Sequence, residues 1–156
     1  MAQRPIVVAV SGGFDPVHIG HVRMFEEAKK LGDRLVVILN NDNWLMLKKG
    51  VVFMPQDERR EVISGFRAVD EVMLTSHASD ATDMTVCDAL RTLKPDVFAN
   101  GGDRGATNTP EVRLCDELGI RLAWNVGAGG KVNSSSWLLG RFAERYSKIK
   151  KARDAR

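Results

Sequence analysis

Two of the chain's three histidines, His18 and His21, stand three residues apart with Gly20 between them. On the first turn of a helix that spacing puts both imidazoles on one face. A helix N-terminus offers unpaired N–H groups and a partial positive charge, and two imidazoles beside it add donors suited to phosphate oxygens. Gly20 leaves room for a ligand to come close to the backbone. A second group of the same kind lies far along the chain, where Ser134, Ser135 and Ser136 follow Lys131 and a glycine-rich stretch. Three hydroxyls ahead of a helix are N-cap material, and with the helix N–H groups they form a second place to cradle phosphate. Between the two lie Lys48 and Lys49, followed by Gly50. Read on composition alone, they are cations on a solvated loop.

The neighbouring elements position these residues. Residues 6–10 are continuously apolar, the pattern of a parallel strand buried on both faces, and residues 22–31 follow helical periodicity. The histidines therefore sit where a strand, a glycine turn and a helix start meet. Further strands are predicted at 34–40, 68–74, 96–99 and 120–126, with helices at 55–63, 84–93 and 110–118 and from residue 137 onward. Residues 44–53 read as a loop, and His77 falls in a polar loop over 76–83 where exposure is expected. Strands alternating with helices through short joints predict an α/β fold, a Rossmann-like doubly wound sandwich with a five-stranded, mainly parallel sheet.

The 156 residues suffice for one domain with a proper core, and 44% hydrophobic with 28% charged residues is ordinary for a globular protein. No membrane-length apolar run or signal peptide is evident, so a cytoplasmic location is expected and membrane partners are not. Cys87 and Cys115 form no CxxC pattern and read as reduced thiols rather than metal ligands. The formal charge of +3 is uneven, with +5 from Arg141 onward and −2 over the rest. The body thus gives no nucleic-acid footprint, and residues 142–156 read as a basic helix end or tail beyond a domain of residues 1–141. GxxxxGK[ST] and GxGxxG are both absent, which excludes a P-loop kinase and a dinucleotide dehydrogenase.

The run Gly12-Gly13-Phe14-Asp15-Pro16-Val17-His18-Ile19-Gly20-His21 resembles the signature of the HxGH nucleotidyltransferase superfamily, cytidylyltransferases and adenylyltransferases alike. Asn40-Asn41-Asp42, Lys48-Lys49-Gly50, Asp57-x-Arg59, Gly101-Gly102-Asp103 and Ser134-Ser135-Ser136 fall in the order that superfamily shows, over about residues 6–141. Spacing looks most like glycerol-3-phosphate cytidylyltransferases and heptose 1-phosphate adenylyltransferase domains. The resemblance implies transfer of a CMP or AMP group from CTP or ATP to a phosphorylated small alcohol or sugar, with release of pyrophosphate. It implies magnesium carried by the nucleotide, no protein-bound metal, and a homodimer.

Carried onto this chain, His18, His21, Lys48 and Lys49 would be catalytic. Gly12, Gly13, Phe14, Asp15, Gly20, Gly101, Gly102, Asp103, Ser134, Ser135 and Ser136 would bind nucleotide. Asn41, Asp42, Arg59 and Lys131 would contact substrate. The cytidylyltransferases carry an arginine-threonine-glutamate-glycine stretch before the last serine-threonine cap, whereas this chain has Gly129-Gly130-Lys131-Val132-Asn133. Lys131 in place of that arginine supplies a point charge rather than a planar fork. The tetrapeptide His18-Ile19-Gly20-His21 is shared with class I aminoacyl-tRNA synthetases, but the chain is too short for their tRNA-binding parts. The alternative from another class is a non-catalytic nucleotide sensor or nucleic-acid-binding module using the basic tail.

Overall fold

The computed structural model describes residues 4–101, 109–127 and 133–155. Gly102, Asp103 and Lys131, expected at the site, lie outside the described residues. Elements follow in the order β1 (Val7–Gly12), α1 (Ile19–Lys29), β2 (Arg34–Leu39), α2 (Asp42–Lys49), α3 (Gln56–Ser64), β3 (Glu71–Leu74), α4 (Cys87–Leu93), β4 (Val97–Gly101), α5 (Pro110–Leu118), β5 (Arg121–Val126) and α6 (Ser135–Asp154). The strands form one five-stranded sheet in the order β3-β2-β1-β4-β5. Every pairing is parallel, so the mainly parallel expectation is met in full.

Continuous apolar strands bury both faces, as a parallel sheet with helices on each side requires. On one face Val8, Val10, Leu35, Val37, Leu39, Val97 and Ala99 pack with Phe14, Met24, Phe25, Ala28 and Ile63. On the other, Ala9, Ile38 and Phe98 pack with Val86, Cys87, Ala89, Leu90, Leu114 and Cys115. The chain moves outward from β1 to β2 and β3, then crosses back to β4. The strand order therefore reverses between β1 and β4, and at such a switch point the loops diverge and leave a crevice at the carboxyl edge.

Residues 44–53 depart from the expected loop, because α2 occupies most of them. Asn41 caps that helix by accepting from the Trp44 N–H, Leu45 is its buried anchor, and Gly50 ends it at φ 75°. A cap and a left-handed glycine enclosing two turns are sufficient for a short helix when one side chain reaches the core. Residues 142–154, expected as a basic helix end or tail, continue α6, a helix of 20 residues. Cys87 and Cys115 are buried and unpaired. No helix among the described residues is long and apolar enough to cross a membrane.

Candidate active site

His18 is the N-cap of α1, and its Nδ1 accepts from the Gly20 N–H at 3.1 Å. His21 Nδ1 accepts from the His18 N–H at 3.2 Å. This is the reciprocal geometry of a capping box, with imidazoles in place of Ser and Glu. Because each Nδ1 is an acceptor, each neutral ring carries its proton on Nε2 and has that N–H left to donate. Serine and glutamate would cap the helix equally well but would leave no such donor. The rings stack with centroids 3.7 Å apart.

Both rings are held neutral. Burial pushes His21 down to about 3, and the neighbouring His18 and Lys49 push in the same direction. Burial also lowers His18. The pair is therefore a neutral double donor at physiological pH, not a cationic clamp.

Phe14 lines the cavity and also packs against His21. It is buried at φ 49°, and its ring packs edge-on to His21 with centroids 4.8 Å apart and to Phe25 at 5.2 Å. It props the His21 imidazole from behind, and a Cβ on Gly12 would come within 2.9 Å of it. A Cβ on Gly13 would similarly meet Leu45 at 2.8 Å, and one on Gly101 would run into Met24. These glycines admit protein neighbours first, although all three still line the cavity.

Asp15, Asn41, Asp42 and Arg59 are held by hydrogen bonds within the protein. Asp15 is 1% exposed, and its two oxygens accept from the Phe53 and Met54 N–H groups at 2.7 Å each. It fastens the segment after α2 to the glycine turn. Arg59 is 0% exposed and donates to the carbonyls of Met54, Gly13 and Asn40 and to Asp42 Oδ1, at 2.6–2.8 Å. Those bonds occupy the guanidinium and bind Asp42, so this pair is a strut between β2, α3 and the turn. Asn41 is likewise committed, with Oδ1 on the Trp44 N–H and Nδ2 on the His77 carbonyl. His77 is half-buried rather than exposed, bridging Thr75 Oγ1 and the Thr85 carbonyl.

The remaining residues converge on a cavity of about 500 Å³ at the carboxyl edge of the sheet. His18, Gly20 and His21 line it from α1, Lys48 and Lys49 from the end of α2, and Ser134, Ser135 and Ser136 from the start of α6. Ser134 Oγ caps α6 by accepting from the Trp137 N–H at 3.1 Å, and Ser135 Oγ donates to the Pro16 carbonyl at 2.8 Å. That second bond ties the α6 terminus to the histidine turn across 119 residues of sequence. Burial lowers the Lys49 pKa, with Asp15 opposing the shift and Arg59 adding to it. The cavity thus combines imidazole N–H donors, ammonium groups and a helix N-terminus, a set that binds anions. It also includes residues that sequence reasoning passed over: Trp44, whose indole N–H donates to the Met84 carbonyl at 2.8 Å, and Ser11, Asn40, Met84, Val86 and Asn100. Their signal was positional only, since several stand at strand ends on the binding edge.

The all-parallel sheet, the switch-point crevice and the HxGH cap define a nucleotidyltransferase of the Rossmann-like class. The Cytidylyltransferase-like family model matches residues 9–118, and the chain belongs to that family. It is 38% identical to the FAD synthase of Pyrococcus horikoshii over 149 residues, covering 95% of this chain and 92% of that protein. It is 39% identical over 136 residues to the bifunctional protein HldE of Hahella chejuensis, covering 85% of this chain but 25% of the longer protein. Among solved structures, the lipopolysaccharide core biosynthesis protein of Thermoplasma volcanium superposes with a TM-score of 0.60 at 29% identity, covering 78% of this chain and 94% of that one.

Proposed function

We propose that the protein transfers AMP from ATP to a phosphorylated small molecule bearing a polyol or sugar, with FMN and heptose phosphate the leading acceptors and CTP the second nucleotide to test. The observation that carries this reading is the convergence of His18, His21, Lys48, Lys49 and the α6 N-terminus on one cavity. The FAD synthase and HldE relatives support an adenylyl donor, since FAD is AMP joined to FMN. They also widen the expected acceptors beyond glycerol phosphate and heptose phosphate to FMN.

In this mechanism an acceptor phosphate oxygen attacks the α-phosphorus of ATP. The new P–O bond forms as the bond to the β-phosphate oxygen breaks, and that electron pair leaves with pyrophosphate. The attacking oxygen is already ionised, so no protein nucleophile or general base takes part. The protein brings two polyanions together and stabilises the charge that grows between them. The Nε2–H groups of His18 and His21 donate to the α-phosphoryl and leaving oxygens. Lys49 and Lys48 offset the acceptor phosphate, and the free N–H groups of the first turn of α6, with Ser136, hold the outer phosphates. Magnesium would arrive with the triphosphate and offset its charge, with no residue of the chain assigned to hold it.

A pyrophosphate-release screen with magnesium tests the reading, crossing ATP and CTP with FMN, heptose 1-phosphate and glycerol 3-phosphate. ATP turnover with one of the first two is the expected result. Nucleotide binding without turnover on any acceptor would support a sensor, and nucleotide that fails to bind would remove the assignment.

A further inference from the structure

Strand alternation divides the cavity in two. Successive strand residues face opposite sides of a sheet. In β1, Val8 and Val10 belong to the face packed by α1 and Ala9 to the face packed by α4 and α5, so Ser11 falls on the α4/α5 side. In β2, Val37 and Leu39 face α1 and Ile38 faces α4, which places Asn40, the residue just beyond the strand, with Ile38.

In β4, Val97 and Ala99 face α1 and Phe98 faces α4, which places Asn100 with Phe98. Because β2 and β4 flank β1, Asn40, Ser11 and Asn100 form one polar row across the binding edge, on the opposite face from the histidines. All three line the cavity, next to Trp44, Met84 and Val86.

The two amides in this row are unsatisfied. Asn40 is 4% exposed and Asn100 is 7% exposed, and Asn40 Oδ1 and Asn100 Nδ2 are both shielded from solvent without a hydrogen-bond partner. Such groups are normally paired, and leaving one unmade is costly. The β4/β5 register shifts between Ala99 and Gly101, where Asn100 alone stands opposite Trp124 and Asn125. The sheet is irregular at the β4 residue whose side chain is unpaired.

We infer that Asn40 and Asn100 are specificity-determining residues that read hydroxyl groups of a bound substrate, one accepting and the other donating, in a subsite separate from the phosphate-binding half. A hydroxyl both donates and accepts, so it satisfies either amide atom. An uncharged polyol fits a site that has amides and an apolar wall. This rests on the nucleotidyl-transfer reading, in which hydroxyls come from two sources, the nucleotide ribose and the acceptor's polyol chain.

Calorimetric binding to the full chain with magnesium separates the sources. One arm compares ATP with 2′,3′-dideoxy-ATP, and the other compares ribitol 5-phosphate with pentyl phosphate. In at least one arm the native protein should prefer the hydroxylated ligand by about tenfold or more, the size of one or two hydrogen bonds. Asn40→Leu and Asn100→Leu should each reduce that preference at least threefold, with Asn→Ala variants as a second pair. Their Tm should stay within about 3 °C of the native value, because Asn40 Oδ1 and Asn100 Nδ2 hold no hydrogen bond to lose. A native protein indifferent to hydroxyls in both arms, a preference that survives every variant, or a fall in Tm of more than about 6 °C would overturn the inference. Inorganic pyrophosphate binding is measured alongside: its absence in the native protein would count against the phosphate-site reading, while the hydroxyl preference judges the amides independently.

Discussion

Replacing Arg59 by methionine separates a structural strut from a substrate contact. The side chain is 0% exposed, and its bonds reach three backbone carbonyls and the Asp42 carboxylate. Methionine fills much of the volume but supplies no donor. The carbonyls of Gly13, Met54 and Asn40 lose a charged donor. Asp42, whose side chain is 35% exposed, is resolvated and contributes less. Breaking a buried pair of this kind costs about 3–5 kcal/mol. At the 2–4 °C per kcal/mol typical of a chain this long, Tm should fall by about 10 °C. Arg59→Lys should recover little, because an ammonium cannot reproduce the planar fork that reaches four acceptors. Thermal unfolding by circular dichroism, run beside acceptor KM at a permissive temperature, is the assay. A Tm within about 2 °C of the native protein together with a raised acceptor KM would refute the strut and return Arg59 to the substrate.

The His21 shift predicts acid sensitivity of the fold. With a pKa of about 3 folded and an ordinary value of 6.5 unfolded, the unfolded chain binds more protons between those limits. This contribution is therefore complete above pH 6.5 and falls by about 1.4 kcal/mol per pH unit below it, so urea unfolding of His21→Gln at pH 7 and pH 5 should show a shallower loss than the native protein. Equal losses would mean the imidazole is not held neutral by the fold. His21→Ala should lower kcat by about a hundredfold or more, the scale of removing one preorganised donor, and unchanged turnover would take His21 out of the mechanism. Lys49→Met should raise acceptor KM more than nucleotide KM and, by removing a neighbouring positive charge, raise the His21 pKa read by NMR titration. A larger effect on nucleotide KM would move Lys49 to the triphosphate.

Local rules reach far along this chain. Continuous apolar runs marked the first two strands and shorter apolar-rich stretches the other three, glycine and proline marked helix limits, and the His18–His21 spacing marked a helix start with two ring donors. Each of these depends on residues close in sequence. Roles that depend on long-range partners were not legible. Asp15 looks like a site carboxylate until Phe53 and Met54 are seen to occupy its oxygens, and Arg59 looks like a substrate cation until four acceptors surround it. Phe14 reads as a nucleotide-binding residue, and only its packing against His21 and Phe25 shows it as a prop. Asn40 stands out in the sequence only as part of a motif and Asn100 not at all, and the interest of the pair arises because β1 lies between their strands and both residues fall on the same face. Sequence by itself determined where the backbone would extend, coil and expose donors, since those are short-range preferences. Tertiary structure decided which charged and polar groups were consumed in holding the site and which stayed free to meet a substrate, because pairing requires partners that only folding brings within reach.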